Sequence, residues 1–317
     1  MSPSRSRWLT RHVLLDLTPL RRSADFRALI AGLGVSTFGT QLTAVAVPYQ
    51  VYGLTRSSLY VGLVSLAQLF PLIFGSLFGG SLVDAVDRRR ILLVVEALGA
   101  LSSAGLALNA DFGPALWPLF LFPAVTAALS GMDSSARGAM VPGMVGLASV
   151  PAANAMFQAL FQTGGIVGPA LAGVLLAGAG ARVVYWVDVF TYLVALASVL
   201  AISPQPPLSG VPGAAPDAMR GRLQGVQMAV VAGGPRLGDL EAGVVATAFG
   251  DTVSVVSGGL ACVVGALLVA RLLPGFRHQR SAMEATDRDV AEAASEVIAE
   301  IEPGGPAEPF DVAEREA

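Results

Sequence analysis

The chain contains no lysine; all twenty of its basic residues are arginine. A Walker A phosphate loop ends in an obligatory lysine, so ATP hydrolysis through such a loop is excluded. A single cysteine, Cys262, rules out an intramolecular disulfide and a cysteine zinc cluster. The two histidines, His12 and His278, flank the apolar part of the chain, and there is neither an HExxH pair nor a nucleophile elbow. No enzyme activity, cofactor, metal or nucleic-acid partner is therefore expected. Charge is also scarce. Asp, Glu, Lys and Arg make up 14% of the 317 residues and hydrophobic types 54%, against roughly one quarter charged in ordinary soluble domains. With a mean hydropathy of +0.65, this composition points to the membrane.

The little charge present is unevenly placed. Residues 281–317 hold eleven acids against two arginines, and residues 1–280 hold twelve acids against eighteen. The net charge of −3 thus describes an acidic tail attached to a basic core. A helix crosses a bilayer with about 20 mostly apolar residues. Eight segments meet that length or approach it: 29–52, 59–83, 91–109, 114–132, 156–179, 183–203, 226–249 and 253–273. The expected fold is all-α and polytopic, a six-helix bundle over 29–203 followed by two further helices over 226–273. An arginine-rich segment, 1–28, precedes it. Residues 204–225 form a loop, and the tail 274–317, nearly free of aromatics, is expected to be disordered. The apolar stretch after the first arginines is too long for a secretory signal and is read as a retained first span.

Arginine placement sets the expected orientation. Arg5 to Arg27, Arg88 to Arg90, Arg137, Arg220, Arg222, Arg277 and Arg280 fall on one side, and only Arg56 and Arg182 on the other. Both termini are expected in the cytoplasm.

Between the second and third spans lies GSLVDAVDRRR, Gly80 to Arg90. Three arginines at a cytoplasmic turn need no more than the positive-inside rule. Asp84 needs more, since a carboxylate at the membrane boundary calls for a charge partner or a helix terminus. In the fifth span, GGIVGPALAG places Gly164, Gly168 and Gly173 beside Pro169; small residues four apart also serve plain helix packing. In 226–249 the segment GGPRLGDLEAG sets Arg236, Asp239 and Glu241 into an apolar context. Each charge at a helix centre costs about 2.5–3.5 kcal/mol. Arg236 and Asp239 can pair on one helix face. Gly233, Gly234 and Pro235 would loosen the helix there, giving a discontinuous span that lines a polar cavity; the alternative is an interfacial loop. Glu96 in span three and Asp188 in span six lie about six residues from their helix ends, where a side chain can reach the interface, so a structural role competes with an ion-coupling one.

The loop motif resembles that of the major facilitator superfamily, G-x-L-x-D-(basic)-x-G-(basic)-(basic). Gly80, Leu82, Asp84, Arg88 and Arg89 match it, while Ala85 and Asp87 depart from it. The pattern G-x-x-x-G-P-x-x-G-G of the superfamily's drug antiporters is similar to Gly164, Gly168, Pro169 and Gly173, with Ala172 in place of one glycine. DLTPLRRSADFRAL, PYQVYGLTRSS and MDSSARGAMVPGMV narrow the resemblance to the enterobactin-exporter-like branch over residues 16–203, and RGRLQG resembles that branch's approach to helix eleven. The resemblance implies export of a small molecule, siderophore or drug-like, by proton antiport across the bacterial inner membrane. Gly80, Asp84, Arg88 and Arg89 would gate, with Asp84 bridging to the start of helix eleven. Arg236, Asp239, Glu241 and Glu96 are the coupling or substrate candidates. The branch has twelve helices; here helices seven to ten are missing at a seam near Ala215 to Pro216. Two readings stay open: an exporter working with a second copy or another superfamily chain, and a non-transporting remnant or structural partner of a full-length exporter.

Overall fold

The computed structural model describes residues 17–205 and 217–272, with side chains described outside 80, 81, 83–85, 217–230, 232, 269 and 270. The described residues form eight α-helices: α1 Thr18–Arg22, α2 Ala24–Thr55, α3 Ser58–Ala85, α4 Arg88–Asp111, α5 Leu116–Val145, α6 Val150–Leu200, α7 Asp217–Phe249 and α8 Asp251–Leu272. The acidic tail and the seam at Ala215 to Pro216 lie outside them. Contacts divide the chain into two compact units, 1–255 and 256–317. The first holds α1 to α7 and the start of α8; the second begins within α8.

Local chemistry fixes the helix ends. Ser23 caps α2 by accepting from the Phe26 amide at 3.1 Å, and Asp87 caps α4 by accepting from the Arg89 amide at 2.9 Å. Both satisfy donors that a helix start leaves unpaired. The chain enters α2 at Ala24, inside the segment expected to precede the bundle.

Helix α6 has 51 residues and joins the expected fifth and sixth spans. At Gly180 the backbone leaves helical geometry with φ 78° and ψ 174°, a region essentially reserved for glycine. The neighbours show what that residue does. A Cβ placed on Gly34 or Gly164 would touch Leu160 or Thr37, so the first arm (150–179) runs parallel to α2. Gly32 faces Ser198 and Gly39 faces Thr191, so the second arm (181–200) runs antiparallel to it. The chain therefore reverses at Gly180.

Glycines bring other helices close. Gly75 and Gly79 lie against the backbone at Ala128 and Met132, packing α3 parallel to α5. Gly62 lies against Asp239 and Leu240, and Gly243 against Ser58, so α7 packs antiparallel along α3. Helix α7 runs unbroken through Gly233, Gly234 and Pro235, which corrects the expected discontinuity. At least at Gly233 and Gly243 the missing side chains admit α3: a Cβ would stand 3.2 Å from Leu69 and 2.6 Å from Ser58.

Six described helices are long and apolar enough to cross a membrane: α2, α3, α4, α5, α6 and α8. Counting the two arms of α6 separately gives seven of the eight expected spans. Helix α7, which carries Arg236, Asp239 and Glu241 and lies along α3, is not among them, and its uninterrupted described stretch is limited to 233–249.

The bundle interior has an apolar cluster towards each end. One contains Leu42, Val47, Val51, Leu106, Leu119 and Tyr185, the other Leu29, Leu92, Val95, Leu129, Met140 and Val199. On α4 the buried stretch between them is polar, with Glu96, Ser102 and Ser103.

Candidate functional site

The polar layer holds two groups. In the first, Arg137 on α5 stands between two carboxylates. Its Nη2 donates to Glu96 Oε1 on α4 at 2.8 Å, and its Nε donates to Asp133 on its own helix at 2.7 Å. Glu96 is 2% exposed, and its Oε2 finds no donor among the described residues. Buried charge is tolerated when paired, and one guanidinium here serves two acids. The loop position expected for Arg137 is corrected: α5 continues to Val145, so this arginine belongs to the bundle interior.

The second group surrounds Asp188 on the second arm of α6. Thr43 of α2 and Ser103 of α4 both donate to its Oδ2, at 2.8 and 2.7 Å. Thr191 lies 3.3 Å from Oδ1. Both Glu96 and Asp188 turn inwards instead of reaching for the interface. A signal was present in the sequence: Glu96, Gly99 and Ser103 follow each other at three- and four-residue steps, which puts them on one helix face. Gly99 on that face receives the ring of Tyr192.

The other sequence candidates are distributed over separate helix pairs. On α7, Arg236 Nη2 lies 3.5 Å from Gln68 Oε1 of α3, and Asp239 accepts from Ser65 of α3 at 2.8 Å. Glu241 is exposed. In the loop motif, Gly80 and Asp84 fall in the last turns of α3, and their side chains lie outside the described ones, as do those of Arg222 and Leu223. Arg88 is buried, and its amide donates to the Gln205 carbonyl at 3.2 Å. Arg89 donates to the carbonyls of Val199 at 3.2 Å and Leu200 at 2.7 Å, occupying the acceptors that the end of α6 leaves open. Asp87, the residue that departs from the motif, caps α4 and accepts from Gln205 N at 3.3 Å.

In the antiporter-like motif, Gly164 and Gly168 are buried against α2, where a Cβ would come within 2.8 Å of Thr37 and 2.5 Å of Gln41. Pro169 and Gly173 are exposed, and Gly173 faces open space. The motif therefore has two sides, one packed within the bundle and one uncovered.

The family model described as "Transmembrane secretion effector" matches residues 15–214, which covers most of the bundle and both carboxylate groups. The chain belongs to this family of the major facilitator superfamily. Members are membrane transporters and not enzymes, in agreement with the helical architecture. The chain is 29% identical over 197 residues to the enterobactin exporter EntS of Citrobacter koseri, covering 61% of this chain and 47% of that protein. It is 32% identical over 191 residues to the multidrug efflux pump Tap of Mycolicibacterium fortuitum, covering 56% and 43%. EntS of Salmonella typhimurium is 29% identical over 168 residues, covering 53% and 41%. The chain spans less than half the length of these relatives.

Proposed function

We propose that the chain serves proton-driven export of a small amphipathic molecule, siderophore or drug-like, from the cytoplasm of a bacterium, with both termini on the cytoplasmic side of the inner membrane. The observation that carries this reading is the Glu96–Arg137–Asp133 group: a buried carboxylate whose second oxygen lacks a donor among the described residues, sharing one guanidinium with another acid. Protonation of Glu96 leaves Arg137 wholly to Asp133 and slackens the link between α4 and α5. A proton thus changes a helix contact, which is what coupling requires. The names of EntS and Tap support enterobactin or unrelated drugs as substrates. Arg236 and Asp239 on the α3–α7 seam are candidates for substrate contacts, and Asp84, Arg88 and Arg89 for the gate.

The uncovered edge of the first arm of α6 favours a second reading. Gln158, Gln162 and Gly173 are exposed there, and polar groups facing hydrocarbon are normally covered by another helix. In that reading the chain acts only with a second copy or another superfamily chain, or is a non-transporting partner.

Everted vesicles containing the full chain, energised by an imposed proton gradient and offered enterobactin or a fluorescent cationic dye, separate the two. Gradient-dependent uptake, lost in Glu96→Gln, supports the first reading. No uptake by the wild type, alone or as an oligomer, rejects it and leaves the second.

A further inference from the structure

Asp188 is 1% exposed, yet none of its neighbours among the described residues supplies a positive charge. The groups around it come from three elements. Helix α2 presents Thr43 and presses its backbone close at Gly39; α4 presents Ser103 and, further along the same face, Glu96; α6 itself contributes Thr191 and Tyr192. Arg137 on α5 engages Glu96 and Asp133 and not Asp188. A buried carboxylate without a countercharge is costly unless it is neutralised.

The hydrogen-bond valences show how that is achieved. Oδ2 accepts two hydroxyl protons, from Thr43 and Ser103 at 2.8 and 2.7 Å, as the carbonyl-type oxygen of an acid can. Oδ1 has only Thr191 Oγ1, at 3.3 Å, and the single hydroxyl proton of Thr191 has two acceptors to choose from, Oδ1 and the nearer Asp188 main-chain carbonyl at 2.8 Å. With the proton on the nearer acceptor, the Thr191 oxygen turns a lone pair towards Oδ1. That arrangement is complete when Oδ1 carries a hydrogen and donates it to Thr191, and it is deficient when Oδ1 is bare.

We infer that Asp188 is a second proton-binding site, a neutral carboxylic acid with its proton on Oδ1, held where α2, α4 and the second arm of α6 meet. Its use rests on the proton-coupled reading above; its existence does not. The proton is stored in the bundle core, against the same face of α4 that carries Glu96, and its loss would leave a bare charge at the junction of three helices.

Infrared spectroscopy of the full chain in lipid vesicles at neutral pH tests this, with aspartate carbon-13-labelled at its side-chain carboxyl. A protonated carboxyl C=O band is expected that shifts with the label, persists in Glu96→Gln and vanishes in Asp188→Asn. Asn reproduces both the acceptor and the donor of the neutral acid, so Asp188→Asn is expected to melt near the wild type and Asp188→Ala well below it. Absence of any protonated aspartate band in the labelled wild type overturns the inference, whether or not the variants fold. So does a band that survives in folded Asp188→Asn. If the band behaves as expected while efflux ignores the proton gradient, the coupling proposal fails and the proton site stands.

Discussion

Arg137 Nη2 lies 2.8 Å from Glu96 Oε1, a link between α5 and α4 made inside the bundle. Both residues are almost fully enclosed, so neither can turn to water when the other is lost. Replacing Arg137 by Met leaves Glu96 and Asp133 without their shared countercharge. Removing one member of a buried pair costs about 3–5 kcal/mol. Arg137→Met is expected to lower the melting temperature measured by size-exclusion in detergent, and Arg137→Met combined with Glu96→Gln to recover part of the loss.

The reversal at Gly180 depends on a backbone conformation that other residues adopt only under strain. Gly180→Ala is expected to destabilise the chain by about 1–3 kcal/mol. Gly178→Ala, two residues away with open space around it, is the control and should be close to neutral in the same melting assay.

The two sides of the antiporter-like motif predict different responses. A Cβ on Gly168 would press on Gln41, whereas one on Gly173 would meet nothing. Gly168→Ala is expected to cost about 1–3 kcal/mol through overpacking, and Gly173→Ala to stay within about 0.5 kcal/mol. A transport defect in Gly173→Ala without loss of stability would place the uncovered edge in the transport cycle.

Helix α7 can be tested in the membrane. Ser65 Oγ and Asp239 Oδ2 lie 2.8 Å apart across the seam. With Cys262 replaced by Ser, the pair Ser65→Cys and Asp239→Cys is expected to cross-link under mild oxidation and shift on a denaturing gel. No cross-link in intact membranes would mean that α7 does not lie along α3 there.

Asp87 occupies the position where the superfamily motif has glycine, and it caps α4. Asp87→Ala is expected to cost about 1 kcal/mol, with a further loss from the bond to Gln205. Equal melting of variant and wild type would show that the cap carries no weight.

Hydropathy and motif order made the family and the helical bundle legible, because apolar length and turn chemistry are local properties. The motif order also identified the glycine contacts of the fifth span as an alternative to an antiporter role, and the packing of Gly164 and Gly168 on α2 shows that side of it. Glu96 and Asp188 were visible as charges in apolar spans, but their helical phase was not. Six residues from a helix end, a carboxylate can face either the interface or the interior, and neighbouring helices decide which. Arg137 was hidden more thoroughly, since an arginine shortly after an apolar run looks like a loop charge until α5 is seen to continue.

The sequence by itself determined an all-helical membrane chain of the major facilitator superfamily, because the cost of unpaired backbone in hydrocarbon leaves apolar segments of this length no alternative to helices. The tertiary structure alone decided that α7 continues through Gly233 and Pro235, that Arg137 is shared by Glu96 and Asp133, and that three hydroxyls converge on Asp188. Those relationships depend on which faces of distant helices meet, and side-chain pairing across 41 or 145 residues leaves no mark in local composition.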